Sequence, residues 1–223
     1  MKKLLLSLLI GALCILLVAI LLPAILGGIS KGPNPPSPAS KGRSLVLCII
    51  SKNIDFDALL QDCIWPESPR FTEDSEHIKK FSEAYFAKLF ELNSDLKFSM
   101  FSGGGISTAT SIDDFLAGGK NMWSYIGGDT PDSPMPGNHP PFLFTKNLRL
   151  TNEDLQYYSK PENANDPSFF SKFDASVKPY GDSRVVFVYR DGSTSFMHAK
   201  DLTPSLFFRG CEMPPNAHVV HPR

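Results

Sequence analysis

The first 28 residues hold the feature that most constrains this chain: a nearly unbroken apolar run from Leu4 to Leu26, behind the basic start Met1-Lys2-Lys3. The run is 23 residues long. At about 1.5 Å per residue, a helix of that length crosses a hydrocarbon core of roughly 30 Å. We therefore predict a single transmembrane helix over residues 1–28, whose lipid-embedded length is marked by Leu4, Leu16, Leu22, Pro23 and Leu26.

A cleaved secretory signal and a buried soluble helix remain as alternatives to this uncleaved anchor. The apolar core of a signal peptide usually covers only about 7–15 residues. The segment Ala24-Ile25-Leu26-Gly27 is a poor cleavage site. A lipoprotein signal would need a small residue directly before its cysteine, whereas Cys14 follows Leu13 in the middle of the run. The short basic amino terminus favours an orientation with that end inside. We expect a single-pass protein of the cytoplasmic (inner) membrane with its C-terminal part extracytoplasmic.

Residues 29–43 are predicted to form a linker, because four prolines fall within six positions of it. Such a stretch disfavours helix and favours an extended spacer. The remaining residues suffice for one domain with a substantial core. We assign that domain to residues 44–212 and a C-terminal tail to residues 213–223.

The clearest helix is predicted from a cap at Thr72 to Leu92. Its apolar residues recur at steps of three and four positions, which is typical of an amphipathic helix. The residues that define this stripe are Ile78, Phe81, Tyr85 and Leu89. If the stripe is exposed, it is the expected contact surface for assembly with other proteins.

Strands are expected at residues 121–126 and 142–145, and short helices over Ser111–Leu116 and from Thr151 to Tyr158. The runs Val185–Tyr189 and Thr194–Met197 flank Asp191-Gly192, which is a strong hairpin signal. The first of these runs is apolar on both faces and should be a central strand. The predicted fold class is α+β, with helices packed on a small antiparallel sheet.

No enzyme signature emerges from the candidate chemistry. The glycine-rich segment Ser102–Thr108 lacks the Gly-Lys-Ser/Thr ending of a phosphate loop, and we interpret it as a flexible loop. No Gly-x-Ser-x-Gly elbow accompanies a serine, and the five histidines are scattered. A membrane-tethered hydrolase is therefore a remote alternative, which a buried Ser or Asp bonded to His198 would revive.

No cofactor is predicted, although calcium has weak candidate ligands in loops. These are Asp129, Asp132, Asn163 and Asp166, and such residues more often bond their own turns. Outside the apolar run the cysteines are Cys48, Cys63 and Cys211, whose disulfide state stays open. The formal net charge of −1 gives no overall field for nucleic acid, so the expected partners are the membrane and other proteins.

Several parts of the chain resemble the pseudopilins of bacterial type II secretion systems, especially divergent G-type members. The last part of the apolar run, Ala19–Leu26, contains Leu-Leu-Pro-Ala and is similar to the Ile/Leu-rich run ending Leu-Leu-Pro-Ala-Leu in many pseudopilin N-terminal helices. Segments similar to the globular part follow in the expected order: Trp65-Pro66, the helix from Phe71 to Leu92, residues 121–124, residues 141–148 and the hairpin Val185–Met197.

The chain departs from these proteins at its start, where Met1-Lys2-Lys3-Leu4 leads directly into the membrane run. The family's cleaved Gly, the following Phe and the Glu five residues in are absent. The resemblance therefore implies a pseudopilin-like domain on a fixed anchor, with a non-enzymatic, structural or adaptor role in protein transport or a cell-envelope assembly. The alternative is a surface binding module that uses the loop from Gly127 to Pro141.

Overall fold

The computed structural model describes residues 37–55, 64–67, 71, 75–128 and 139–223. The chain divides after Pro36 into two units, and the second unit, Ser37–Arg223, holds all of the described residues. The predicted anchor residues Leu4, Leu16, Leu22, Pro23 and Leu26 lie outside them. No helix within the described ranges combines the length and apolarity needed to cross a membrane.

The elements are helices and antiparallel strands, which agrees with the α+β prediction. The helices are α1 (Pro38–Asp55), α2 (Ser75–Ile78), α3 (Ser82–Leu92), α4 (Ile112–Leu116), α5 (Asn152–Tyr158) and α6 (Pro204–Phe208). The strands are β1 (Trp123–Gly127), β2 (Pro141–Thr145), β3 (Arg184–Tyr189), β4 (Thr194–His198) and β5 (His218–Val220). Short 3₁₀ turns cover Phe98–Met100, Pro161–Asn163, Pro167–Lys172 and Ala199–Asp201.

The five strands form one sheet in the order β4-β3-β2-β1-β5, and every neighbouring pair is antiparallel. The predicted hairpin is confirmed as β3–β4, and β3 lies inside the sheet as its apolar sequence indicated. β5 joins the sheet at its other end, beside β1. Strands β1 and β2 are buried at every position.

Side chains on the two faces of the sheet belong to two hydrophobic clusters, called here the first and second cores. Trp123, Tyr125 and Val186 enter the first core with residues of α1 and α3, whereas Ile126, Phe144 and Phe187 enter the second with residues of α5 and α6. Both Phe142 and Leu143 belong to the first core, because the register of β2 shifts between Pro141 and Leu143. The sheet is therefore the middle layer of a three-layer domain.

Three boundaries differ from the sequence predictions. α1 begins at Pro38, inside the stretch predicted as a spacer, because proline is compatible with the first turn of a helix. The predicted helix from Thr72 to Leu92 is interrupted, with α2 ending at Ile78 and α3 starting at Ser82. Residues 213–223 are not a tail, since β5 lies within them and pairs with β1.

Candidate functional site

The helical stripe predicted to contact partners is largely buried within this domain. Ile78, Tyr85 and Leu89 are fully or almost fully buried in the first core, and Phe81 is half-buried. The Tyr85 hydroxyl donates a hydrogen bond of 2.8 Å to the Ile64 carbonyl, which fixes the ring in place. The stripe thus packs against the rest of this chain and forms no exposed apolar surface on α2 or α3.

The calcium candidates that the structure describes are engaged in local turns. The Asp166 carboxylate accepts bonds from the Ser168 amide and the Tyr157 hydroxyl, and these bonds, those of Ser168 first, lower its pKa. The Asn163 side-chain amide donates to the Tyr157 carbonyl. Asp129 and Asp132 lie outside the described residues. Across the described ranges, no three His, Cys, Asp or Glu side chains are grouped so that they could hold a metal ion.

The cysteines provide no evident reactive centre in the described part of the chain. Cys48 is half-buried on α1, and burial is the main cause that raises the pKa of its thiol. Cys211 is buried after α6, and no disulfide joins it to Cys48. Cys63 lies outside the described residues.

A serine–histidine pair does occur, but at Ser124 and His221 rather than at His198. The Ser124 Oγ lies 2.7 Å from His221 Nδ1, and His221 Nε2 lies 2.7 Å from the Leu150 carbonyl oxygen. Because a carbonyl only accepts, Nε2 carries the proton and Nδ1 accepts from the serine hydroxyl. Burial lowers the pKa of His221 to about 4.

This pair is arranged for structure rather than for nucleophilic catalysis. Ser124 lies on β1 and is fully buried, so its hydroxyl cannot reach a substrate in this conformation. An imidazole with so low a pKa is also a weak base near neutral pH. The bonds tie the segment after β5 to β1 and to the Leu150 carbonyl, which closes the second core.

The outer edge of β4 offers unpaired main-chain groups. The Tyr189 amide donates to the Ser193 carbonyl at 2.9 Å, so this pair is hydrogen-bonded at the hairpin turn. Hydrogen-bonded pairs alternate in an antiparallel ladder. The amide and carbonyl groups of Thr194, Phe196 and His198 therefore point away from β3, and no strand among the described residues pairs with them.

Exposed apolar side chains gather around this edge. Phe196 is 50% exposed, and Leu206 of α6, which is 48% exposed, lines a groove of about 450 Å³ with Ser195 and Met197 of β4. Leu47 of α1 is 43% exposed and lies against the hairpin turn, where a Cβ added at Gly192 would be only 3.0 Å from it. We call β4 with Leu47, Phe196 and Leu206 the edge surface. It combines a free strand edge with apolar side chains on both sides of the sheet.

Sequence reasoning predicted the β3–β4 hairpin but not the edge surface. The one available signal was the contrast between the continuous apolar β3 and the mixed sequence Thr-Ser-Phe-Met-His of β4. That contrast is typical of an inner strand beside an edge strand. The positions of Leu47 and Leu206 beside β4 depend on contacts between distant parts of the chain, which local patterns do not carry.

Comparison with known proteins returns no match to a protein-family model, to a curated protein or to a solved structure. The resemblance to pseudopilins therefore stays a prediction from the sequence.

Proposed function

We propose that this chain is a membrane-anchored, non-enzymatic structural or adaptor protein of a secretion or cell-envelope assembly. The apolar run Leu4–Leu26 supports the anchor, and the charges before it support an extracytoplasmic position for the domain. The α+β domain that follows is of the coarse class expected for a pseudopilin-like protein.

The edge surface is the observation that carries the adaptor role. An exposed strand edge pairs readily with an extended segment of another protein, whose main chain supplies the bonds and whose alternate side chains fill flanking grooves. Phe196 lies at the centre of the edge, with the groove beside Leu206 on the opposite face of the sheet. The partner we propose is an extended protein segment with apolar side chains at alternate positions, added as a further strand along β4.

Fractionation of the cells that make the protein tests the anchor. The full chain should sediment with the membrane and resist extraction by high salt, and mass analysis should find residues 1–28 still attached. Release of a shortened chain into the soluble fraction would contradict the fixed anchor.

Photo-crosslinking in the same cells tests the edge surface separately. A photoreactive residue replaces Phe196 in one variant and Ile112 in the control variant. Ile112 is also an exposed apolar residue, but it lies on α4, far in sequence from β4. We expect an adduct at position 196 that mass spectrometry maps to an extended segment of one membrane or envelope protein. Equal adducts at both positions, or none at position 196, would rule out this surface.

A further inference from the structure

A second open cavity of the domain is lined by four basic side chains from three separate parts of the chain. Its volume is about 430 Å³. Lys146, Arg149, Lys178 and Arg223 line it, and none of its lining residues in the described part of the chain is Asp or Glu. We call this cavity the basic cleft. The whole chain has 22 basic and 23 acidic residues, so the local excess of positive charge does not follow from composition.

The glycine-rich segment after Ser102 forms one wall of the basic cleft. Gly103, Gly104 and Gly105 all have positive φ, at 140°, 57° and 87°. A Cβ at Gly104 would lie 2.2 Å from the Pro179 side chain, and one at Gly105 would lie 3.0 Å from Lys178. Only glycine allows this backbone with such close contact. The glycine residues therefore allow the segment that carries Lys178 to pack closely against this wall and to complete the cleft.

The positive charges in the basic cleft are only partly compensated by carboxylates, since Glu83 attracts Lys146 and Arg223 and Asp174 attracts Arg149. No carboxylate among the described residues comes within 4.0 Å of the charged nitrogens of Lys146, Arg149 or Lys178. Burial is the main cause that lowers the pKa of Lys146; the Glu83 charge opposes this shift, and the Arg149 charge adds a smaller contribution that lowers it. Like charges held this close repel each other, and an anion between them would relieve that repulsion.

The carboxylate of Glu83 is buried beside the cleft. Glu83 is 1% exposed and accepts the Arg223 backbone amide at 3.2 Å with both oxygens. Its charge attracts Lys146 and Arg223, although burial raises its own pKa. The Arg223 guanidinium is held by the Leu116 carbonyl at 2.9 Å and by the Phe81 ring at 4.2 Å. Arg223 is therefore positioned within the protein before any ligand arrives.

We propose that the basic cleft binds a phosphate-bearing ligand. The Arg149 guanidinium supplies paired donors that fit phosphate oxygens, and Arg223, whose Nη1 already bonds the Leu116 carbonyl, adds its charge to those of the two lysines. The exposed Ser107 lines the same cleft and offers a hydroxyl group. Four cations in one cleft match a ligand of charge −2 or more better than a single carboxylate. This site does not depend on the partner proposed for the edge surface.

Titration calorimetry of inorganic pyrophosphate into the full-length protein, in uncharged detergent at low salt, tests the proposal. We expect saturable binding, which Lys146→Gln and Arg149→Gln each weaken by about tenfold or more, because each removes a charge-assisted bond. The matched control is Lys97→Gln, which removes an exposed lysine outside the cleft and should leave the affinity unchanged. Far-ultraviolet circular dichroism establishes that each variant is folded.

A variant with the opposite expected effect guards against a purely structural explanation. Glu83→Gln removes the nearby negative charge and should strengthen pyrophosphate binding by several fold. Absence of saturable binding to the wild type, or an equal loss in Lys97→Gln, would overturn the proposal.

Competition then identifies the source of the phosphate group. Displacement of pyrophosphate by a short-chain anionic phospholipid, but not by glycerol phosphate, would assign the cleft to a lipid headgroup. Displacement by glycerol phosphate alone would assign it to a free phosphate ester.

Discussion

His221 shows at the residue scale how a polar side chain can stabilise a core by staying neutral. Its two nitrogens bond Ser124 and the Leu150 carbonyl, both at 2.7 Å, and its ring contacts the Phe144 ring edge-on at 6.0 Å between centroids. A proton on Nδ1 would remove the acceptor that the Ser124 hydroxyl requires and would place a charge beside apolar surface. The pH of the solution should therefore control the strength of this connection.

We expect the free energy of unfolding to fall between about pH 6.5 and pH 4 because of His221. In this interval the unfolded chain takes up a proton that folded His221, with its pKa lowered to about 4, does not. The contribution is complete above about pH 6.5, and its loss amounts to about 3 kcal/mol at about 1.4 kcal/mol per pKa unit. Urea unfolding of the wild type and His221→Gln measures the effect.

The variant should be less stable than the wild type near neutral pH, and the difference should narrow toward pH 4. His198→Gln is the control, since His198 is exposed on β4, and it should follow the wild type. A difference between wild type and His221→Gln that stays constant with pH would contradict this explanation.

At the scale of elements, α1 shows packing overriding intrinsic helix propensity. Gly42 lies inside this helix, where glycine is normally about 1 kcal/mol less favourable than alanine. A Cβ there would lie 2.7 Å from both the Trp123 ring and a Val188 methyl group. The absence of a side chain allows α1 to approach the sheet at the centre of the first core.

Gly42→Ala should therefore destabilise the domain by about 1–3 kcal/mol, as expected for overpacking, although propensity alone predicts a gain. Thermal or urea unfolding measures the change. Arg43→Ala alters the adjacent exposed position of the same helix and should shift stability by less than about 0.5 kcal/mol. A stabilising effect of Gly42→Ala would show that the helix can move away from Trp123 without loss.

Individual elements were predictable from the sequence where they carry a local signal, and were missed where their stability depends on tertiary packing. The hairpin and α5 carry local signals, Asp191-Gly192 and the capping box of Thr151 with Asp154, and both were predicted. The start of α1 was missed because the prolines before Arg43 outweighed a helix whose stability comes from Leu45, Val46 and Ile49 in the first core. Burial of those side chains is a tertiary property.

At the scale of the whole molecule, β5 connects regions that are far apart in sequence. Tyr125 pairs with Val220, and the His221 carbonyl accepts the Ser82 amide at the start of α3 at 3.1 Å. Ser82 in turn bonds the Trp123 carbonyl at 2.9 Å and accepts from Asn121 at 2.9 Å. The segment predicted as a tail thus links the sheet to the helix α3.

Deletion of residues 217–223 should abolish cooperative unfolding, because it removes β5, the buried Val220 and both bonds of His221. Near-ultraviolet circular dichroism, which reports ordered aromatic side chains, is the measurement. Glu212→Ala changes an exposed residue a few positions earlier and should leave the signal intact. A native spectrum from the shortened chain would show that these residues are dispensable.

The whole fold was predictable as a class but not in its topology. Local patterns located β1 to β4, yet a strand of three residues, His218–Val220, carries too little periodicity to be recognised. Both candidate sites are formed by residues that are far apart in the sequence and are brought together only by the fold. The basic cleft joins Lys146, Lys178 and Arg223, and the edge surface joins Leu47 to Phe196. Only the glycine-rich wall of the cleft was visible in the sequence, where it suggested a flexible loop.

The pairing of β5 with β1 also has a consequence for biogenesis. The ribosome makes β1 almost a hundred residues before β5, so the growing chain presents an incomplete sheet with both of its edges open. If the domain crosses a membrane during synthesis, the edge of β1 that pairs with β5 must stay unpaired until β5 has been exported. A holdase that shields β-strand edges would then be needed during export, before the mature protein meets any partner.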